Sequence, residues 1–414
     1  MAESPNYFSP DEYTPIKKPR GGIPKVLKTP GHYRRAAEIL AAGVGPFAID
    51  TERAATYRYD DRAFLIQIKR RGAGTFIFAP ENHRAELSRT LGRLINDEDW
   101  VMHAATTDLP ALAMLRLYPR RLFDTQVASR LLGMPKVNLA AVVGALLGYK
   151  LEKTHGNENW STTPLPTSWV SYAALDVEFL LDAADKLAEL LDNQDKLEWA
   201  EEEFAWIVSG HRIDQEVPQR NWRQLKGLNS LRTRQELAIA KELWNAREKI
   251  AAETDTAPSR LLPDRLLLSA AHSKPRTPYE FFQAGEVRKR HSRNMKSWLA
   301  AINRGLMLPR PLYPQLNEPI GESQIPKARN WKIYHPESYQ LLTELRETLI
   351  AHASTLEIQP DSLLEPRVLH AAIWRATAEK GFIDATDLAD FLSMHGARPW
   401  QISVNMPILA PLLL

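Results

Sequence analysis

Four carboxylates and a tyrosine near the start of the chain stand in contexts where they could act together: Asp50 and Glu52 in Ala48-Ile-Asp-Thr-Glu52, Asp108 in His103-Ala-Ala-Thr-Thr-Asp108, and the pair in Tyr172-Ala-Ala-Leu-Asp176. The chemistry they suit is phosphodiester hydrolysis. A phosphodiester repels hydroxide, and its leaving sugar oxygen must be stabilised as it departs. Two divalent cations about 3.5–4 Å apart meet both demands, one activating water and the other clamping the leaving oxygen. Such ions take oxygen ligands, and Mg²⁺ sits on one or two carboxylates plus phosphate and water. The chain has no cysteine, which excludes disulfides, thiolate metal sites and cysteine nucleophiles and leaves oxygen-ligated metal as the common option.

The elements that must position these groups are legible around them. Pro46-Phe-Ala-Ile49 reads as a short strand, and a spacing of two on an extended chain points Asp50 and Glu52 to one face. Trp100-Val-Met-His103 reads as a second buried strand, with Asp108 after it at the start of a helical stretch, Leu109 to Leu117. Tyr172 and Asp176 lie four apart in Trp169 to Leu190, whose apolar spacing predicts a helix, so they share a face. Each piece alone also has an ordinary reading. Asp-x-Glu pairs are common on solvated surfaces, Asp108 suits a helix cap, and Tyr172 with Asp176 suits a surface pair. Their order, contexts and separation together favour a site.

Those motifs, with Leu65-Ile-Gln67, Asp108-Leu109 and Phe123-Asp-Thr-Gln126, make the chain resemble the DEDDy 3′-to-5′ exonucleases, in particular the ribonuclease D family, over roughly residues 30–210. The resemblance implies that Asp50, Glu52, Asp108 and Asp176 bind two divalent ions, Mg²⁺ or Mn²⁺, and that Tyr172 orients the attacking water. Asp50, Glu52 and Asp176 would share one ion. Asp50 and substrate phosphate would hold the other, with Asp108 acting on it directly or through water. The implied substrate is RNA, such as the 3′ ends of tRNA precursors, trimmed to nucleoside monophosphates.

Around this set, Arg53, His103, Lys153 and Trp160 are the candidate substrate-binding residues. Arg53 departs from the family, which usually places an apolar residue after Asp-x-Glu. With Arg58 and Arg62 it reads either as a phosphate contact or as part of a solvated loop. His103 closes a strand, and metal-bound water needs no histidine to ionise. Asp124 reads as an N-cap rather than a ligand. The polar segment Lys150 to Pro166, which holds Lys153, His155 and Trp160, is either a lid over the substrate phosphate or a plain connection.

At 414 residues the chain predicts two to four domains, and its 44% hydrophobic content is that of a soluble protein. No apolar run reaches a membrane span, and the N-terminus lacks a secretory signal's apolar core, so the expected location is cytoplasmic. The net charge of +3 conceals an asymmetry: +7 over residues 1–150, −10 over 151–220, +10 over 221–310 and −4 over 311–414. A basic module behind a carboxylate-rich one suits a nucleic-acid enzyme. It equally suits a charge match between the −10 and +10 segments.

Residues 1–30, rich in Pro, Lys and Gly, read as a flexible or surface-wrapping lead. A helix at His32 to Ala42 and tightly connected strands at Phe47-Asp50, Ala63-Lys69 and Gly74-Phe78 follow, then alternating helices and strands to about Trp206. That order predicts a mixed sheet flanked by helices, the ribonuclease H-like α/β architecture the resemblance implies, over residues 31–215. Residues 216–305 resemble the all-α HRDC module. A Pro-rich linker at 306–327 leads to residues 328–414, where Pro258-to-Ala270 recurs as Pro360-to-Ala372 at an offset of 102, predicting a second, diverged HRDC-like bundle and a possible protein-contact surface. The leading expectation is thus a metal-dependent 3′-to-5′ exoribonuclease, with a DNA exonuclease and a catalytically silent RNA-binding scaffold as alternatives.

Overall fold

The structure, a computed structural model, describes residues 7–152, 155–156, 158–211, 220–285, 288–316, 325–379 and 381–414. Its centre is a six-stranded mixed sheet, made of β2 (Val26–Leu27), β3 (Val44–Arg53), β4 (Ala63–Arg71), β5 (Gly74–Phe78), β6 (Asp99–Met102) and β7 (Arg121–Asp124) in the order β2-β5-β4-β3-β6-β7. β3, β4 and β5 pair antiparallel, as their tight connections predict, whereas β6 and β7 pair parallel because each returns through a helical crossover. Among the described residues no helix is long and apolar enough to cross a membrane.

Alternation along β3 sets the two faces. Phe47 and Ile49 pack with α1 (Pro30–Ala41) and α2 (Arg84–Ile95), in a core with Tyr33, Leu40, Leu87 and Leu91. Ala48 lies on the other face, with Val101, Val177 and Leu181. Asp50 and Glu52 share the parity of Ala48, so they face the second helical layer. That layer is α6 (Thr167–Glu178) and α7 (Leu180–Asn193). The single helix expected from Trp169 to Leu190 is therefore two, broken at Phe179, and the helix expected from Leu109 is short, α3 spanning Leu109–Ala113.

The lead, expected to be flexible or surface-wrapping, forms strand pairs in its described residues. β1 (Thr14–Ile16) pairs with β8 (Tyr149–Leu151), and β2 adds an edge to the main sheet.

Two helical bundles follow. The first has its own core, Trp222, Leu237, Leu243, Leu267, Phe281 and Trp298, around α9 (Arg234–Glu253). Here Gly305 lets two helices meet, since a Cβ would stand 2.6 Å from the Ile239 Cα. The second bundle holds helices Pro336–Thr355 and Pro366–Ala378, each beginning 102 residues after its counterpart at Arg234 and Asp264. Unlike the first, it shares one continuous core with the six-stranded sheet, from Phe47 and Trp100 through Phe204 to Trp331, Leu345 and Trp400. Trp400 stacks on Trp199 at 4.8 Å, and Arg398 meets the buried Glu203 at 2.7 Å. Gly133, at φ +65°, is needed at this seam, because a Cβ would lie 2.6 Å from the Glu357 carbonyl oxygen.

Candidate active site

β3 and α6 bring three of the four predicted carboxylates together. One ligand oxygen from each of Asp50, Glu52 and Asp176 lies within 4.8 Å of the others, with Glu52 buried and its two partners partly so. The strand contributes a spacing of two and the helix a single residue. Tyr172, one turn before Asp176, lines with it a cleft of about 630 Å³ that also takes in His103, Gln126, Asn138, His155 and Glu158. Arg53 and Glu52 line an adjoining hollow of about 250 Å³ with Asp61, Gly156 and Glu158.

Like charges crowded out of water resist ionisation. Burial, then the neighbouring Asp108 and Asp176, raise the Asp50 carboxyl well above its ordinary range. Burial, then Asp50 and Asp176, do the same to Glu52. Asp176 is pushed up to about 8, first by burial and then by Asp108, with a hydrogen bond from Tyr172 working the other way. Burial, then Asp176, also raises the Tyr172 hydroxyl, so it keeps its proton across the neutral range.

Asp108 is not one of that mutually close triad, but its charge acts on Asp50 ahead of that of Asp176. Its Oδ1 accepts from the Thr51 hydroxyl at 2.5 Å and lies 3.7 Å from the Arg53 Nε, and its Oδ2 accepts from the Thr107 hydroxyl at 2.8 Å. Asp108 still acts through its field, which raises both Asp50 and Asp176.

The other expectations divide. Arg53 spans Asp61, at 2.7 Å, and Asp108, so its charge is engaged within the protein. His103 lines the cleft, its Nδ1 2.8 Å from the Thr125 hydroxyl. Trp160 is a correction: expected at substrate, it is 2% exposed and packs beneath Tyr172 with Phe64, Leu65 and Trp169, because the loop folds its indole inward. Lys153 lies outside the described residues. Asp124 is the N-cap expected of it, accepting from Gln126 N and Val127 N, and it also takes Ala104 N and Ala105 N. It thereby holds the turn that leads to Asp108.

Sequence reasoning gave no role to Thr51, Thr107 or Gln67, although Thr51 and Gln67 stood within its motifs. The signal for Thr51 was its place between Asp50 and Glu52. Gln67 pairs directly with Asp50 across the β3–β4 register, is fully buried, and has no partner for either amide atom. An orphaned amide beside a mutually repelling all-oxygen triad fits a divalent cation with its water shell. The group that would hold it is Asp50, Glu52 and Asp176.

Known proteins show the same parts. Residues 27–192 match a family model described as a 3′-5′ exonuclease, residues 236–302 match the HRDC domain, and residues 324–413 match a 3′ to 5′ exonuclease C-terminal domain. The ribonuclease D of Jannaschia sp. (strain CCS1) is 31% identical over 223 residues, covering 52% of this chain and 56% of that protein. The chain thus spans about half the length of the curated relatives it matches. The crystal structure of a protein from Bifidobacterium adolescentis superimposes with a TM-score of 0.84 at 31% identity, covering 97% of this chain and 99% of that one. Escherichia coli RNase D shares the fold, with a TM-score of 0.66 at 22% identity over 90% of this chain and all of its own. From the exonuclease sheet with its carboxylates to the HRDC bundle behind it, the chain is similar to the ribonuclease D proteins, and its parts match the 3′-5′ exonuclease and HRDC families.

Proposed function

We propose that this protein is a metal-dependent 3′-to-5′ exoribonuclease of the cytoplasm that trims the 3′ ends of structured RNA, such as tRNA precursors. The observation that carries the reading is the convergence of Asp50, Glu52 and Asp176 on one point beside Tyr172 in an open cleft. Two Mg²⁺ or Mn²⁺ ions, when bound there, would supply a nucleophile at neutral pH and stabilise the leaving oxygen.

The protein's own groups do the rest. Asp50, Glu52 and Asp176 would hold the cations, and Asp108, held by Thr51 and Thr107, would act on them directly or through water and adds its negative field to the set. Tyr172 retains its proton, so it orients the attacking water by hydrogen bonding rather than by abstracting a proton. Water adds to phosphorus, the 3′-oxygen of the preceding nucleotide leaves and is protonated, and a nucleoside monophosphate departs. Arg53, His103 and Lys153 are proposed to contact the substrate, and the bundle over residues 221–310, with its charge of +10, to follow the RNA backbone. The shared 102-residue offset supports reading residues 328–414 as a second, diverged bundle of the same kind.

Degradation of 3′-labelled and 5′-labelled RNA and DNA with Mg²⁺, Mn²⁺ or EDTA tests polymer, polarity and metal need together. Stepwise shortening of 5′-labelled RNA only with metal is the expected result. Preference for DNA would move the reading to a DNA exonuclease, and no cleavage of either polymer would refute it.

A further inference from the structure

The loop between β3 and β4, residues 54–62, begins directly behind Glu52 and Arg53, and its Asp61 holds Arg53 at 2.7 Å. One carboxylate of the HRDC bundle gathers several groups of this loop. Asp255, in the turn after α9 at φ 45°, takes Arg62 in a two-pronged pair: Nη2 to Oδ2 at 2.7 Å and Nη1 to Oδ1 at 3.0 Å. The same carboxylate accepts from Arg58 Nη1 at 3.1 Å and from the Tyr59 backbone N–H at 3.3 Å. Ala257 N donates to the Tyr57 carbonyl at 3.1 Å, and Arg260 Nε to the Thr56 carbonyl at 2.9 Å. Arg58 reaches further. Its Nε donates to Ser161 Oγ at 2.8 Å, in the segment that runs into α6 with Tyr172 and Asp176.

We propose that Asp255 is a positioning residue for hydrolysis: from the HRDC bundle it clamps the loop behind Glu52 and Arg53 and, through Arg58, the segment ahead of Tyr172 and Asp176. The geometry favours a clamp over an incidental surface pair. Two-pronged Arg–carboxylate bonding fixes orientation as well as distance, and the Arg62 side chain is only 13% exposed, with Asp60 and Glu81 also on it. A catalytic cluster tolerates little slack, since a displacement of about 1 Å can cost roughly 10²-fold in rate. The bundle would then act on the chemistry itself and not only as a handle for RNA.

This inference rests on the exonuclease reading, and the test separates the two. A dinucleotide, too short to engage the bundle, is hydrolysed with Mn²⁺ by the full chain carrying Asp255→Asn, an isosteric change. The expected outcome is a kcat lower by about 10-fold with KM within twofold, most of the loss being recovered in Asp255→Glu. Hydrogen exchange, read on the same proteins without substrate, should quicken at residues 54–62 and 158–161. Wild-type kcat on the dinucleotide, a loss confined to KM on long RNA, or unchanged exchange in those two segments would overturn the clamp. A wild-type chain inert toward the dinucleotide would count against the exonuclease reading, while exchange alone would still decide the clamp.

Discussion

Replacing Asp176 by Asn is expected to stabilise the metal-free protein at pH 8, scarcely change it at pH 4, and end its binding of Mn²⁺. Burial and the charge of Asp108 move the Asp176 carboxyl from an ordinary 3.8 to about 8. The folded chain therefore holds a proton that the unfolded chain releases between about pH 4 and pH 8. Where the native state binds more protons, stability falls as pH rises, so the penalty is absent at low pH and complete above the folded value. At about 1.4 kcal/mol per tenfold change in proton affinity, the ceiling is roughly 6 kcal/mol. The carboxylates titrate as a set, so relaxation by the neighbours reduces this to about 2–4 kcal/mol. With an unfolding entropy of about 2.1 cal/mol/K per residue, that corresponds to a Tm higher by about 2–5 °C. Calorimetry in EDTA at both pH values reads the stability, and isothermal titration with Mn²⁺ reads the binding. A Tm lowered equally at the two pH values would refute the claim that these carboxylates repel one another in the fold.

Further perturbations address other parts of the site and the fold. Tyr172→Phe should leave Mn²⁺ affinity near wild type and slow RNA hydrolysis by about 10²–10⁴-fold; a wild-type rate would reduce the tyrosine to a packing role. Gln67→Leu removes two orphaned amide atoms and should raise thermal stability by about 1 kcal/mol or more while weakening Mn²⁺ binding. Unchanged Mn²⁺ affinity would show that the amide does not serve the site. Arg398→Ala strands Glu203, whose carboxyl burial already raises, and should cost about 3–5 kcal/mol in denaturant unfolding. A loss below about 1 kcal/mol would mean that the second bundle is not fastened to the catalytic domain there.

Local periodicity carried much of this protein in the sequence itself. Asp50 and Glu52 are two apart on a strand and Tyr172 and Asp176 four apart on a helix, so backbone geometry alone put each pair on one face. The order of strands and crossovers likewise made the sheet mixed. What depended on tertiary contact was hidden. Asp108 is held by the hydroxyl of Thr51, and no local pattern records which residue a threonine will meet. Trp160 turned inward because its loop found an apolar hollow under Tyr172. The segments Pro258-to-Ala270 and Pro360-to-Ala372 align at an offset of 102, yet the first bundle closes its own core while the second merges with that of the six-stranded sheet. Helical periodicity states that a face must be buried; only packing decides against what.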